Sequence, residues 1–135
     1  MNKQNRKLEF TVAIIFIILV GGFTFLLDFS NGMCGNESYK EIYSPNKSLK
    51  AVIFTRGCGA TTGYGTQVAI LGHAEELKNT SEAVFSVEGH ATTSSPIIKW
   101  INNKHLNIRK RPNRQAYLAE NTWGWFETVE ITYNN

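Results

Sequence analysis

The sequence has few of the residues and motifs that reveal an enzymatic activity. It contains only two cysteines, three prolines and three histidines among 135 residues. No glycine-rich segment ends in Gly-Lys-Ser/Thr, which excludes a phosphate-binding loop of that type. The cysteines do not have the C-x-x-C spacing of redox motifs. The histidines lie far apart, and only His73 is followed within four residues by another ligand type, so we expect no metal and no cofactor.

The chain also lacks a strong excess of either charge. The formal net charge is +3, but Lys3, Arg6 and Lys7 all precede a long apolar segment. With those three cations and Glu9 set aside, 11 Lys and Arg residues face 10 Asp and Glu residues from Asp28 onward. A nearly neutral domain gives no electrostatic reason to bind nucleic acid, so we expect no nucleic-acid partner.

One long apolar run stands out. Residues 10–27 (FTVAIIFIILVGGFTFLL) carry no charge, and as a helix they would span about 27 Å, close to the thickness of a bilayer's hydrocarbon core. The cations before the run predict that residues 1–9 are cytoplasmic and that the rest is periplasmic or extracellular. We therefore expect a single-pass protein of the inner or plasma membrane, anchored by this transmembrane helix.

A cleaved signal peptide is the alternative to an anchor. Ser30 and Gly32 are small residues at −3 and −1 of a cut before Met33. The apolar run is longer than is usual in signal peptides, and Asp28 lies close to the cut, so the anchor is favoured. The residues before Cys34 lack the Leu and small residues of a lipid-attachment signal, which argues against a lipoprotein.

Both cysteines follow the apolar run and would meet an oxidising compartment. Cys34 and Cys58 are therefore predicted to form a disulfide. In the chain-entropy model, closing a loop of roughly 25 residues stabilises the fold by ~3–4 kcal/mol. A shared metal is the alternative, but two cysteines without a nearby histidine make a poor zinc site.

Short strand-like segments, separated by turn residues, follow the stem that we assign to residues 28–43. They are rich in β-branched and aromatic residues or alternate between apolar and polar ones, and they comprise residues 49–56, 66–71, 83–87, 97–101, 105–109 and 127–133. Residues 102–104 (NNK) supply the turn of the clearest hairpin. The sequence thus predicts a mainly β fold, in which residues 44–135 form a small antiparallel β-sheet or sandwich of five to seven strands.

Residues 58–65 (CGATTGYG) form the densest feature and lie between two predicted strands. Glycines permit positive φ angles and a close approach of the backbone, and the threonine hydroxyls could help to cradle an anion. A turn held by the disulfide is the simpler interpretation and is favoured. The candidate binding residues of this loop are Gly59, Thr61, Thr62 and Tyr64.

Residues 44–71 (SPNKSLKAVIFTRGCGATTGYGTQVAIL) resemble a stretch found in a family of small bacterial envelope proteins that has no assigned activity. The shared pattern is SPxxxxKAVxFxRxCGATTGxxTQVxIL. The chain departs from the family at Asn46-Lys47, where Asp-Gly is usual, and at Gly57, where an acidic residue is usual. The resemblance implies a bacterial source and an envelope location, and it implies no activity.

A basic segment is the second candidate for binding. Residues 109–114 (RKRPNR) place four cations within six residues, with Arg109 and Arg111 as the candidate binding residues. Outside a membrane such cations could contact phospholipid headgroups or an anionic wall polymer. A solvated loop is the favoured alternative.

An aromatic segment is the third candidate. Residues 123–126 (WGWF) could form an exposed platform for a sugar or a peptide, with Trp123 and Trp125 as the candidate binding residues. Packing in the core is slightly favoured, because so small a domain needs large side chains to fill it. If the domain binds a partner, we expect the contact to use residues 58–65 together with residues 123–126.

These observations favour a non-enzymatic, membrane-anchored envelope protein whose β domain binds a protein or a wall polymer. A small envelope hydrolase or wall-modifying enzyme is one alternative, and it would need convergent ionisable groups in a cleft. A structural subunit of a membrane complex is the other. For that class, Gly21-Gly22 hints at close helix packing without the G-x-x-x-G spacing.

Overall fold

The chain has two compact units, Met1–Met33 and Cys34–Asn135. The computed structural model describes residues 2–59 and 61–134, and the side chains of residues 3–5 and 27–32 are not described. The first unit is helix α1 (Lys3–Gly32). Its segment Arg6–Leu26 is long and apolar enough to cross a membrane, with a mean hydropathy of 2.3. The apolar helix predicted at residues 10–27 is therefore confirmed, and it extends further in both directions.

Two threonines in α1 satisfy their hydroxyl groups within the helix. Thr11 Oγ1 donates to Lys7 O and Thr24 Oγ1 to Gly21 O, each at 2.9 Å. A hydroxyl bonded to the preceding turn needs no external partner, so these residues are compatible with apolar surroundings.

The second unit is a sandwich of two β-sheets. The first sheet has the order β1-β2-β3-β4-β7 and consists of β1 (Gly35–Tyr43), β2 (Leu49–Gly57), β3 (Gly65–Gly72), β4 (Phe85–Glu88) and β7 (Ala116–Ala119). The second has the order β5-β6-β9-β8 and consists of β5 (Ile97–Asn102), β6 (His105–Arg109), β8 (Thr122–Trp123) and β9 (Val129–Asn134). A short helix, α2 (Ala91–Ser94), leads from the first sheet to the second.

The main core lies between the two sheets. Alternate residues of each strand face inward, and they form one cluster that includes Ala51, Ile53, Val68, Ile70, Phe85, Val87, Trp100, Leu106, Ile108, Val129 and Ile131. The indole of Trp100 also donates from Nε1 to Ile42 O at 2.9 Å, which joins the edge strand β1 to the second sheet. This bond gives a partner to both polar groups, which are partly buried.

A second apolar cluster covers the outer face of the first sheet. Val52, Phe54, Ala69 and Leu71 point away from the main core and pack against Leu77 and Ala83 from the β3–β4 connection. Because both faces of β2 and β3 are buried, residues 51–54 and 68–71 are uninterrupted apolar runs instead of alternating with polar residues.

Polar side chains fasten the β3–β4 connection over this cluster. Asn36 Nδ2 donates to Lys78 O and to Thr80 O, both at 2.8 Å. Arg56 Nη1 donates to Thr80 O at 3.0 Å and to Asn36 Oδ1 at 2.8 Å. The side chains of Asn36 and Arg56 thus supply hydrogen-bond donors to the loop carbonyls, and these bonds in turn pair the buried guanidinium. We call the pair Asn36 and Arg56 the polar latch.

The mainly β fold, the sandwich and the disulfide between Cys34 and Cys58 are confirmed. The described part of the chain has nine strands, however, because β7 and β8 are only four and two residues long and were not predicted. The β6–β9 pair is parallel, whereas the remaining described pairs are antiparallel. The stem predicted at residues 28–43 is wrong from Gly35 onward, because that segment is strand β1.

Strand pairing defines two ends of the sandwich. Gly35 pairs with Gly57 and Gly65 pairs with Glu88 at one end, which we call the Cys34 end. Tyr43 pairs with Lys50 at the opposite end, which we call the turn end. The turns of the two sheets meet there, since the backbone N–H of Asn46 donates to Asn103 Oδ1 at 2.9 Å.

Candidate functional site

The loop between β8 and β9 holds two aromatic side chains in solvent. Trp125 is 98% exposed and Phe126 is 102% exposed. The loop is a tight one because Trp123 already pairs with Val129. Gly124 has a φ of +93°, and a Cβ there would collide with the carbonyl oxygen of Glu127. Only glycine fits this position without strain. We call residues 124–128 the aromatic tip.

Trp123 differs from the two exposed aromatics because it is half-buried against the main core. Its side chain lines a groove of about 320 Å³. Leu71 and Ala83 form part of the apolar wall, and Glu75 and Glu82 also line the groove. Trp123 therefore fixes the base of the aromatic tip and leaves part of its own surface accessible.

Core packing was slightly favoured for residues 123–126, and this expectation is wrong for Trp125 and Phe126. A five-residue loop closed by the pairing of Trp123 with Val129 is too short to fold these two rings back over the domain. The main core is filled by other aromatics instead, including Phe85, which stacks on Tyr133 with ring centroids 6.0 Å apart.

The aromatic tip lies at the turn end. Glu130, two residues beyond it, pairs with His105, which directly follows the turn that contains Asn103. Residues 58–65 instead connect β2 to β3 at the Cys34 end. The expectation that residues 58–65 and 123–126 form one contact surface is therefore wrong. Successive turns of the sheets alternate between the two ends, which places these segments a strand length apart.

The loop of residues 58–65 is closed by its own hydrogen bonds. Gly59 has a φ of +107°. Its carbonyl accepts from the backbone N–H of Thr62 at 3.4 Å and from Thr62 Oγ1 at 3.3 Å. Tyr64 is exposed, and its ring meets that of His90 edge-on with centroids 5.4 Å apart. Thr61 is also exposed. The hydroxyl of Thr62 thus serves the turn, which favours the structural interpretation of this loop over anion binding.

The basic segment is exposed at the Cys34 end, and we call residues 109–114 the basic loop. Arg109 pairs with Ile97 at the end of β6. Arg111 Nε donates to Ser95 O at 3.0 Å, and Arg114 Nη1 donates to Glu88 O at 3.4 Å. Neither bond neutralises a charge, because both acceptors are backbone carbonyls. Among the side chains that the structure describes, no carboxylate forms an ion pair with any cation of this loop.

The histidines lie in separate places. His73 packs against Tyr43 near the turn end, with ring centroids 5.5 Å apart and an angle of 54° between the ring planes. His90 is at the Cys34 end, and His105 Nε2 contacts Thr132 Oγ1 at 2.9 Å on the second sheet. Among the described residues, no group of three or more His, Cys, Asp or Glu side chains could hold a metal ion.

The pKa shifts have structural causes. Lys50 Nζ and the Tyr43 hydroxyl donate to the Glu41 carboxylate at 3.0 and 2.9 Å, which lowers the pKa of Glu41 and raises that of Tyr43. The carboxylate of Glu88 likewise raises the pKa of Tyr117. Burial raises the pKa of Tyr133 to about 12. Each shift follows from burial or from a neighbour on the same or the next strand.

The aromatic tip and the basic loop are thus two surface features of the described residues that packing within the sandwich does not explain. The sequence singled out both segments but did not predict their positions in the fold. The exposure of Trp125, for example, depends on the length of a loop and not on its composition. The resemblance of residues 44–71 to small bacterial envelope proteins stays a prediction. No family model, no curated protein and no solved structure matches this chain.

Proposed function

We propose that this chain is a membrane-anchored envelope protein whose β-sandwich binds a protein partner through the aromatic tip. The observation that carries the proposal is the almost complete exposure of Trp125 and Phe126 side by side. Each such ring can bury ~150–250 Å² in a contact, and at ~25 cal/mol per Å² its removal from water is favourable by about 4–6 kcal/mol before other costs. Tryptophan is also enriched at the residues that dominate binding energy.

The support beneath the tip favours recognition because little order has to be gained on binding. Trp123 is half-buried, and Gly124 fixes the turn. The Tyr133 hydroxyl donates to Glu120 O at 2.6 Å and lies 3.3 Å from Val84 O, which ties the segment before β8 to both sheets. A loop that is already fixed in its binding conformation loses less entropy when a partner docks.

The carboxylates beside the tip favour a protein over an anionic wall polymer, and the exposed cations Lys47 and Lys104 lie in the other turns of this end. Glu127 belongs to the tip, and Glu75 and Glu82 line the groove beside Trp123. These carboxylates would repel a polyanion, whereas a protein with an apolar pocket and a basic rim would complement both the rings and the charges. We therefore assign this chemistry to the partner.

Two features support an envelope location. Helix α1 has a segment that is long and apolar enough to span a bilayer, and Arg6 and Lys7 lie at its N-terminal end. Cations on this side favour a cytoplasmic N-terminus and an external sandwich. The disulfide between Cys34 and Cys58 fits an oxidising compartment.

A photocrosslinking experiment tests the proposal in native membranes. A photoreactive phenylalanine analogue replaces Phe126 in one full-length variant and Tyr117 in a matched control, because Tyr117 is 68% exposed at the other end of the domain. We expect one discrete, protease-sensitive adduct from position 126 and none from position 117. An adduct that resists protease but is cleaved by wall hydrolases would assign the tip to a wall polymer, and no adduct at all would refute the binding role.

Measured affinity is the decisive step once the crosslinked protein has been identified and purified. Trp125→Ala should weaken its binding at least about 30-fold, which corresponds to about 2 kcal/mol. The same substitution should change the free energy of unfolding by less than ~0.5 kcal/mol, because the side chain contacts little of the domain. Unchanged affinity would show that the crosslink reported proximity only.

A further inference from the structure

The second unexplained surface is the basic loop, and its place in the fold suggests a different ligand. We propose that this loop binds the phosphate groups of anionic phospholipids in the leaflet from which α1 emerges. The inference rests on the membrane anchor of the proposed function, but it is independent of the aromatic tip. In this proposal, the contact between the loop and the phosphates holds the Cys34 end against the bilayer.

The position of the loop follows from strand pairing. Gly35, the first residue of β1, pairs with Gly57, and Gly65 on the next strand pairs with Glu88. The carbonyl of Glu88 accepts from Arg114. The basic loop therefore lies at the end of the sandwich where the chain enters from the helix.

The length of the connecting chain limits the distance of this end from the bilayer. Helix α1 continues for six residues beyond Leu26, the last residue of the apolar segment, and Gly35 follows three residues after the helix ends. A helix rises ~1.5 Å per residue and an extended chain at most ~3.6 Å. Gly35 is therefore within about 20 Å of the hydrocarbon boundary. The headgroup layer occupies the first ~5–8 Å of that distance, and its potential extends about one Debye length, ~8 Å, further. The potential therefore reaches this end unless the connection is almost fully extended along the membrane normal.

The charges of the loop are available to an external anion. Arg111 uses Nε for Ser95 O, which leaves its two terminal nitrogens for a phosphate. Asn113 has a φ of +61°, and with Pro112 it shapes the turn that displays these side chains. Residues 110–115 line an open concavity of about 570 Å³. A forked guanidinium on a fixed turn is well suited to phosphate oxygens.

The carboxylates at this end do not neutralise the positive charge of the basic loop. Glu88 accepts from the Tyr117 hydroxyl at 3.2 Å, and Glu37 lies 4.0 Å from His90. The four cations of the loop outnumber these two carboxylates. Anionic wall polymers offer the same phosphate chemistry, but lipid headgroups are favoured because the short connection keeps Gly35, at the same end of the sandwich as the loop, within about 20 Å of the hydrocarbon boundary.

Lysine acylation of the full-length protein in lipid vesicles tests the proposal. Lys110 reports on the basic loop, and Lys47 and Lys104, which are both exposed near the turn end, are internal controls. Replacing about a third of the phosphatidylcholine with phosphatidylglycerol should slow acylation of Lys110 at least ~5-fold. The rates of the controls should change less than twofold, and about 0.5 M sodium chloride should abolish the protection.

Matched charge variants separate a specific contact from the general surface potential. Arg109→Gln with Arg114→Gln should abolish the protection of Lys110, whereas Lys47→Gln with Lys104→Gln removes the same charge at the turn end and should leave it intact. Equal rates in the two lipids, or protection that survives in the arginine variant, would overturn the proposal. Protection of Lys110 by a soluble poly(glycerol phosphate) but not by phosphatidylglycerol would also overturn it, in favour of a wall polymer.

The lipid inference and the proposed function can fail separately. If the protein does not float with vesicles of either composition, the membrane anchor is wrong, and the lipid contact is wrong with it. If it floats but Lys110 is not protected, only the lipid contact is wrong. Binding at the aromatic tip is measured in the Trp125→Ala experiment and does not depend on either result.

Discussion

Asn36→Ala is expected to release the β3–β4 connection from the outer face of the first sheet. The substitution removes the two bonds from Asn36 Nδ2 to the loop carbonyls and the bond that Oδ1 accepts from Arg56. Neutral hydrogen bonds contribute about 0.5–1.5 kcal/mol each and a bond to a charged group about 1.5–3 kcal/mol. Part of the site is open to water, so we expect a loss of ~2–4 kcal/mol of unfolding free energy.

Two measurements on the full-length protein in detergent test this expectation. Urea unfolding should show the loss in the midpoint with an unchanged slope. Amide hydrogen exchange should accelerate in residues 77–83, because that connection covers Val52 and Phe54 and depends on the polar latch. The rest of the first sheet should keep its protection.

Asn121→Ala is the matched control for the polar latch. Asn121 is exposed, and its backbone carbonyl accepts from Ile131, a bond that the substitution keeps. It should change the free energy of unfolding by less than ~0.5 kcal/mol. A loss below about 1 kcal/mol for Asn36→Ala, or unchanged exchange in residues 77–83, would show that apolar packing alone holds the connection.

Three further predictions concern other parts of the sandwich. Replacing Cys34 and Cys58 with serine should cost ~3–4 kcal/mol of unfolding free energy in a denaturant titration, and an unchanged midpoint would contradict this. Thr55→Val keeps the shape of a side chain that is 3% exposed but leaves the backbone N–H of Ala91 without its acceptor at 3.0 Å. It should cost ~1–3 kcal/mol, whereas the exposed control Thr92→Val should cost much less. The pKa of Tyr133 is raised from 10.0 to about 12, so its contribution to stability is fully present below pH 10 and is lost as the pH rises toward 12. Tyr133→Phe should flatten that alkaline loss in a stability–pH profile, and an unaltered profile would assign the loss to other groups.

Strands β2 and β3, which are buried on both faces, could be predicted from the sequence, whereas the edge strands β1, β7 and β8 could not. Residues 51–54 and 68–71 are continuous apolar runs because each is covered by the main core on one side and by the β3–β4 connection on the other. Strand β1 (GNESYKEIY) has mostly exposed side chains and a register shift between Ser38 and Lys40. Its sequence consequently resembles a polar stem. Its hydrogen bonds to β2 are formed by backbone groups, and backbone pairing does not require a particular side-chain composition.

The candidate site was predictable by residue type but not by location. Residues 109–114 and 123–126 stand out through charge and aromatic content alone. Whether Trp125 packs inward depends on the pairing of Trp123 with Val129, and strand partners that are distant in sequence are not encoded in a local pattern. The parallel β6–β9 pair could not be predicted for the same reason, because its paired residues are about 25 positions apart in the sequence.

The position of β9 determines the order in which the sandwich can assemble. This last strand of the described chain inserts between β6 and β8, and it supplies Val129 and Ile131 to the main core. Strands β1 to β3 are neighbours in sequence and can pair as soon as they emerge during synthesis, together with the disulfide that joins Cys34 to Cys58. The second sheet has to wait until β9 arrives. Throughout that interval the inward face of the first sheet is exposed to solvent, so we expect the unfinished domain to be prone to aggregation until its final strand is in place.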